Sequence, residues 1–176
     1  MIASGSLVVP NNILAGKRID GGASKEAFLV KGDDSRIVLL SKNSNLDELT
    51  KEVELLRQIE KAGGPIVRID GIVDVGGRPG ILKQNITDGI TVKPFFFNDE
   101  IERAIPRLGQ SSLDDLTSIR NVIGNSEIGD FQLLVSQKGR VFIDDPTSFG
   151  PLPGGQRYNI ELVDELIRSA RKNTGQ

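Results

Sequence analysis

The sequence predicts an α+β protein built as two lobes, the first rich in strands and the second largely helical. Two observations predict it. Short apolar runs separated by glycine turns fill residues 17–42 and 66–92, whereas helical spacing of apolar residues dominates beyond residue 93. The length of 176 residues is enough for one compact domain or two small lobes. The expected organisation is a lead-in over 1–15, containing Pro10, Asn11 and Asn12, followed by a single domain over 16–176. Its first lobe runs to about residue 92 and its second from 93.

From Lys17 to Lys42 the pattern is strand, turn, strand, turn, strand. Gly21-Gly22 breaks the first pair, and Gly32-Asp33-Asp34 gives a hairpin signal between the second and third. Ile37–Leu40 is a continuous apolar run, as a buried strand requires. Asn45 is placed to cap a helix from Leu46 to about Ala62, which Gly63-Gly64-Pro65 ends. At 100° per residue, Leu46, Leu49, Val53, Leu56 and Ile59 share one arc, and Glu52 falls inside it. Glu48 and Glu54 fall at its edge or outside. A carboxylate on an apolar face needs a partner, because an unpaired buried charge is costly.

Residues 66–92 read as short strands divided at Gly76-Gly77 and at Pro79-Gly80. Asn98 is placed to cap a short helix through Leu108. Ser111 or Ser112 is placed to cap another from Leu113 to about Ile123, with Ser112 and Asp115 approximating a capping box. A strand over 128–135, a turn at Lys138-Gly139 and a strand from Arg140 to Ile143 follow, then the turn-forming Asp144-Asp145-Pro146. A Gly/Pro loop over 150–155 leads to a last helix from about Ile160 to Lys172, with Leu162, Val163, Leu166 and Ile167 inward. Phe95-Phe96-Phe97 reads as packing rather than as a substrate platform.

Composition removes several chemistries. Lys and Arg number 22 and Asp and Glu 24, a net charge of −2. That balance argues against a nucleic-acid partner, which calls for a concentrated basic surface. Neither cysteine nor histidine is present. Disulfides, thiolate nucleophiles, imidazole bases and the usual zinc and iron sites are excluded. Catalysis must rest on carboxylates, lysines, hydroxyls or a cation held by oxygen. Met1–Pro10 is uncharged and lacks the basic start and apolar run of a secretory signal. No stretch approaches the ~18 apolar residues that span a bilayer. A soluble protein with no membrane partner is expected, and export without a cleaved signal is compatible with this.

Four features occur in a particular order: a glycine turn between two strands, Lys42 closing the third strand, a helix with inward Glu52, and a hairpin flanked by Asp130 and Asp144-Asp145. This order resembles the protein-kinase fold. Lys51-Glu52-Val53-Glu54-Leu55-Leu56-Arg57-Gln58-Ile59 resembles the kinase helix whose glutamate precedes an apolar pair, and Ile66–Gly71 resembles the next kinase strand. Ile128-Gly129-Asp130 resembles the catalytic-loop triplet, and Phe142-Ile143-Asp144-Asp145-Pro146 the metal-binding turn. The departures are specific. Of the three loop glycines only Gly22 has a counterpart, Asp20 and Lys25 standing in the other two places. Lys42 and Glu52 are only 10 residues apart (52 − 42). Val135 stands where the metal-binding asparagine would follow Asp130, and Gln132 is the nearest amide. Only 31 residues follow Asp145 (176 − 145), so the usual large second lobe is missing.

With these departures the chain resembles the minimal protein-kinase-fold effectors of bacterial type III secretion and related toxin systems, over about Lys17 to Lys172. The resemblance implies a two-lobed minimal kinase-like α+β fold and an ATP- and Mg2+-dependent protein kinase. It also implies secretion into the host cell, action in the host cytoplasm and phosphorylation of a folded host protein, a eukaryotic heat-shock chaperone, by a monomeric virulence effector. It implies nucleotide binding by Gly21, Gly22, Ser24 and Lys42, catalysis by Asp130 with Lys42 and Glu52, and metal binding by Asp145, Asp144 and Gln132. The spacing of 15 from Asp130 (145 − 130) favours Asp145 as the metal ligand, and strand alternation also allows Asp144. A catalytically dead kinase-like binding module and a small-molecule phosphotransferase remain as alternatives. The missing glycines and asparagine favour the first, and the absence of a large acceptor lobe speaks against the second.

Overall fold

The structure, a computed structural model, describes residues 13–21, 24–93, 99–124, 128, 130–147 and 155–176. Pro10, Asn11, Asn12, Gly22, Phe95, Phe96, Phe97, Asn98, Gly129 and the loop over 150–154 lie outside the described residues. The fold is α+β, and the chain divides into two units: Met1–Val53 with Val67–Ile86, and Glu54–Ile66 with Thr87–Gln176.

The first unit is an antiparallel sheet of five strands. These are β1 (Ala15–Gly21), β2 (Lys25–Val30), β3 (Asp33–Ser41), β4 (Ile69–Val75) and β5 (Arg78–Gln84), in the spatial order β1-β2-β3-β5-β4. The turn between β2 and β3 lies one residue earlier than the sequence suggests. Lys31 and Gly32 form it, with Gly32 at φ 83°, and Asp33 already belongs to β3. Asp33 is drawn into the strand by its side chain, which accepts from Ser35 N at 3.0 Å and pairs with Arg36 at 2.6 Å.

Helix α1 (Leu46–Lys61) follows β3. Its start is the expected one: Asn45 Oδ1 accepts from Glu48 N at 3.2 Å, and Glu48 Oε2 accepts in return from Asn45 Nδ2 at 3.3 Å. Leu49, Val53, Leu56 and Ile59 are buried, but Leu46, at the first helical position, is half exposed. Leu49 and Val53 pack with Ile72 and Ile81 on one face of the sheet, joined by Leu39 and Ile69. Val30, Val38, Leu40, Val73 and Leu82 form the core on the opposite face. Pro79-Gly80 does not divide a strand. Both lie inside β5, and Gly80 is there because β3 crosses so close. A Cβ at Gly80 would stand 2.7 Å from Leu40 Cδ2 and 2.8 Å from the Leu39 carbonyl oxygen. Gly80→Ala should therefore cost about 1–3 kcal/mol, the usual cost of overpacking. Urea denaturation checks this, and an unchanged midpoint would contradict the close approach.

The second unit holds β6 (Ile90–Val92), α2 (Asp99–Ala104), a 3₁₀ turn (Ile105–Arg107), α3 (Gln110–Gly124), β7 (Asp130–Val135), β8 (Val141–Thr147) and α4 (Gly155–Thr174). Strands β6, β7 and β8 form an antiparallel sheet in that order. Helix α3 packs on α4, α3 also touches β8, and α4 also touches β7. Phe131, Leu133, Ile143, Leu116, Ile119, Ile123, Leu162 and Leu166 are fully buried. The inward residues expected for the last helix, Leu162, Val163, Leu166 and Ile167, are all buried. That helix begins earlier than expected, at Gly155, and Arg157 and Glu161 pair across its first turns at 2.7 Å.

Helix α3 starts at Gln110, and Ser112 does not cap it. Ser112 Oγ accepts from Gly109 N at 3.0 Å and donates to the carbonyl of Gly139 in the β7–β8 turn. Asp115 is likewise no part of a capping box. It accepts two bonds from the Arg140 guanidinium, at 2.7 and 3.0 Å, and one from Val141 N at 2.9 Å. Both side chains hold the hairpin to the helix, an attraction between distant segments that outweighs the local capping geometry. Among the described residues no helix is long and apolar enough to cross a membrane.

Candidate functional site

In the first unit the relevant residues gather where β2 begins. Gly21 ends β1 opposite Glu26 of β2. Ser24 precedes β2, and its carbonyl accepts from Lys42 N at 2.8 Å. Lys25 is the first residue of β2, with Ser41, the last residue of β3, directly opposite. Cross-strand partners share a face. The pairs Lys25–Ser41, Ala27–Leu39 and Leu29–Ile37 therefore line the face on which Leu39 meets α1. Glu52, on the inward side of α1, reaches this face. Lys25 Nζ donates to Glu52 Oε2 at 2.6 Å, with the two side chains only 14% and 11% exposed.

The residue that the structure places on Glu52 is Lys25, beside the Lys42 that the sequence suggested. Lys42 stands one residue beyond the end of β3, in an exposed turn. Its charge acts on Glu26, which alternates to the other face of β2. Arg78 bonds Glu26 at 2.9 Å and Arg18 approaches it at 3.4 Å. The hydrogen bond from Arg78, helped by the charges of Arg18, Arg78 and Lys42, holds the Glu26 carboxyl below the usual carboxylate range. The expected apolar-arc position of Glu52 is met, and Glu48 and Glu54 are exposed as expected.

In the second unit the residues gather on the β7–β8 hairpin. Asp144-Asp145-Pro146 does not form a turn after the strand but lies within β8. Gln132 pairs with Asp144 and Asp130 with Thr147, so β8 spends one residue more than β7 over this stretch. That extra residue makes a bulge. Asp145 sits in it at φ 48°, a left-handed conformation that aspartate tolerates better than most residues. In a regular strand Asp144 and Asp145 would point to opposite faces. The bulge brings the Asp145 carboxylate instead to the Gln132 amide, with Nε2 to Oδ2 at 3.2 Å. Gln132, Asp144 and Asp145 thus come together. Asp130 opens β7, and Asn159 of α4, itself buried, donates to the Ile128 carbonyl at 3.3 Å just before it.

Among the described residues no three Asp, Glu, His or Cys side chains cluster as a self-sufficient metal cage. The donor set of two carboxylates and an amide oxygen is hard and oxygen-only. It fits Mg2+, which takes one or two carboxylates and completes its shell with water and substrate phosphate.

Sequence reasoning missed the pairing of Lys25 with Glu52. One signal pointed at it, since Lys25 stands in the place of a loop glycine. Its pairing with Glu52 depended on strand register, which no local pattern reports. A family model described as the type III secretion system effector HopBF1 kinase domain matches residues 8–174.

Proposed function

Because the chain belongs to the HopBF1 kinase-domain family of type III secretion effectors, we propose that it transfers the terminal phosphate of ATP, with Mg2+, to a hydroxyl of a folded host protein. The observation that carries the reading is the bulge in β8, which sets Asp145 and Asp144 beside the Gln132 amide. In this reading the bulge offers hard oxygen donors from adjacent carboxylates to a cation.

Each residue has a distinct task in this reading. Asp145, with Asp144 and Gln132, holds the Mg2+. The cation, when bound, neutralises phosphate charge that builds up during transfer. Asp130 orients the acceptor hydroxyl and takes its proton. The hydroxyl oxygen then bonds to the terminal phosphorus, the bond from phosphorus to the bridging oxygen breaks, and ADP leaves. Gly21, Gly22 and Ser24 bind the nucleotide. A lysine fixed by Glu52 draws on the phosphate oxygens, whether the Lys42 suggested by sequence or the Lys25 that adjoins Glu52. Positioning and charge neutralisation suffice, because a loose phosphoryl-transfer transition state needs little covalent help.

The acceptor in this reading is a folded host protein recognised by docking, with a eukaryotic heat-shock chaperone the target that the family resemblance implies. The test is incubation of the purified protein with labelled ATP, Mg2+ and a eukaryotic lysate, beside Asp130→Ala. Label should enter one abundant host protein, and entry should fall sharply when that protein is denatured first. Casein should be a poor acceptor. Asp130→Ala should lose transfer while keeping ATP affinity within a few-fold. Label passing to small alcohols would point instead to a small-molecule phosphotransferase. A Mg-ATP melting shift without any transfer would point to a dead binding module.

A further inference from the structure

We infer that Lys25, at the start of β2, supplies the ammonium that holds the nucleotide phosphates, with Glu52 fixing its position, and that Lys42 is not that residue. The inference deepens the kinase reading and rests on it.

Three observations support the assignment. Lys25 Nζ lies 2.6 Å from Glu52 Oε2, both side chains being nearly buried. An ion pair removed from water in this way rarely adds net stability, so its presence asks for another use. Second, Lys25 faces Ser41 across the ladder. The last residue of β3, which faces α1, is thus a serine, and its Oγ accepts from Asn45 N at 3.1 Å at the start of the helix. The position at the end of β3 that faces Glu52 carries no charge, and the ammonium arrives from the neighbouring strand. Third, Lys42 comes one residue too late. It stands beyond the strand, in an exposed turn.

The chemistry suits the place. Lys25 opens β2, the strand paired with β1. An ammonium has three N–H donors and can hold a carboxylate and phosphate oxygens together. The carboxylate confines a flexible four-carbon stem to one geometry, so little freedom is left to lose when phosphate binds.

The experiment compares wild type, Lys25→Met, Lys42→Met and Lys25→Met/Glu52→Leu for transfer from labelled ATP. Circular dichroism and melting temperature report folding, and a Mg-ATP melting shift reports binding. Lys25→Met should lose at least about 100-fold in kcat/KM for ATP, with the KM for the protein acceptor unmoved. Lys42→Met should lose no more than about tenfold, as befits an exposed and screened charge. The double variant replaces the buried pair by apolar groups, so it should fold and still not transfer. Near wild-type transfer by either folded Lys25 variant overturns the inference, as does a larger loss in Lys42→Met than in Lys25→Met. If the wild type neither transfers label nor shifts its melting with Mg-ATP, the kinase reading itself fails and this assignment with it.

Discussion

Asp145→Asn should lower phosphate transfer by about 100-fold or more and leave the fold intact. The substitution is chosen for the backbone as much as for the charge. Asp145 sits at φ 48° in the β8 bulge, and asparagine is the other residue that accepts this conformation readily. An asparagine side-chain oxygen also still accepts from Gln132 Nε2. Geometry and packing are therefore kept while one negative charge is lost from the set proposed to hold Mg2+. The melting temperature in the absence of nucleotide should stay within a degree or two of wild type, and the stabilisation by Mg-ATP should shrink. Asp145→Val makes the contrast. A β-branched residue strains at positive φ, so stability should fall by about 1–2 kcal/mol in addition. An Asp145→Asn protein that keeps wild-type transfer would remove Asp145 from the metal site.

Glu52→Ala should cost about 3–5 kcal/mol, because it removes the carboxylate that Lys25 meets on a nearly buried face of the sheet. Glu52→Gln keeps the shape and one acceptor oxygen, so its cost should be smaller, and transfer should fall without vanishing. The double variant Lys25→Met/Glu52→Leu should return to within about 1 kcal/mol of wild type, since apolar groups of similar size often replace a buried ion pair at no cost. Stability would then return without activity, which separates what the pair does for the fold from what it does for the nucleotide. Glu48→Gln and Glu54→Gln, both exposed, should change stability by less than about 0.5 kcal/mol. Urea denaturation of the five variants reads all of these. A small loss in Glu52→Ala, with no recovery in the double variant, would mean that the pair is solvated rather than buried.

The legible part of this protein was whatever repeats over a few residues. The apolar spacing from Leu49 to Ile59 predicted the inner face of α1, including the inward place of Glu52. Asn45 marked the start of that helix, and Gly76-Gly77 marked a true turn. The same local rules failed where distant segments compete. Pro79-Gly80 reads as a turn, yet β3 and β4 flank it and hold it in a strand. Ser112 and Asp115 read as a helix cap, yet the β7–β8 hairpin takes both. Asp144-Asp145-Pro146 reads as a turn, yet pairing with β7 keeps it in β8 and turns the mismatch into a bulge.

The sequence by itself determined the α+β class, the order of the elements and the carboxylates available for chemistry, because composition and short-range periodicity are properties of the chain alone. Tertiary structure decided which lysine meets Glu52 and how Asp145 comes to face Gln132. Both depend on strand register. A shift of one residue turns every side chain of a strand to the opposite face, and register is set by the sum of packing and ladder bonds across the whole sheet rather than by any residue within the strand.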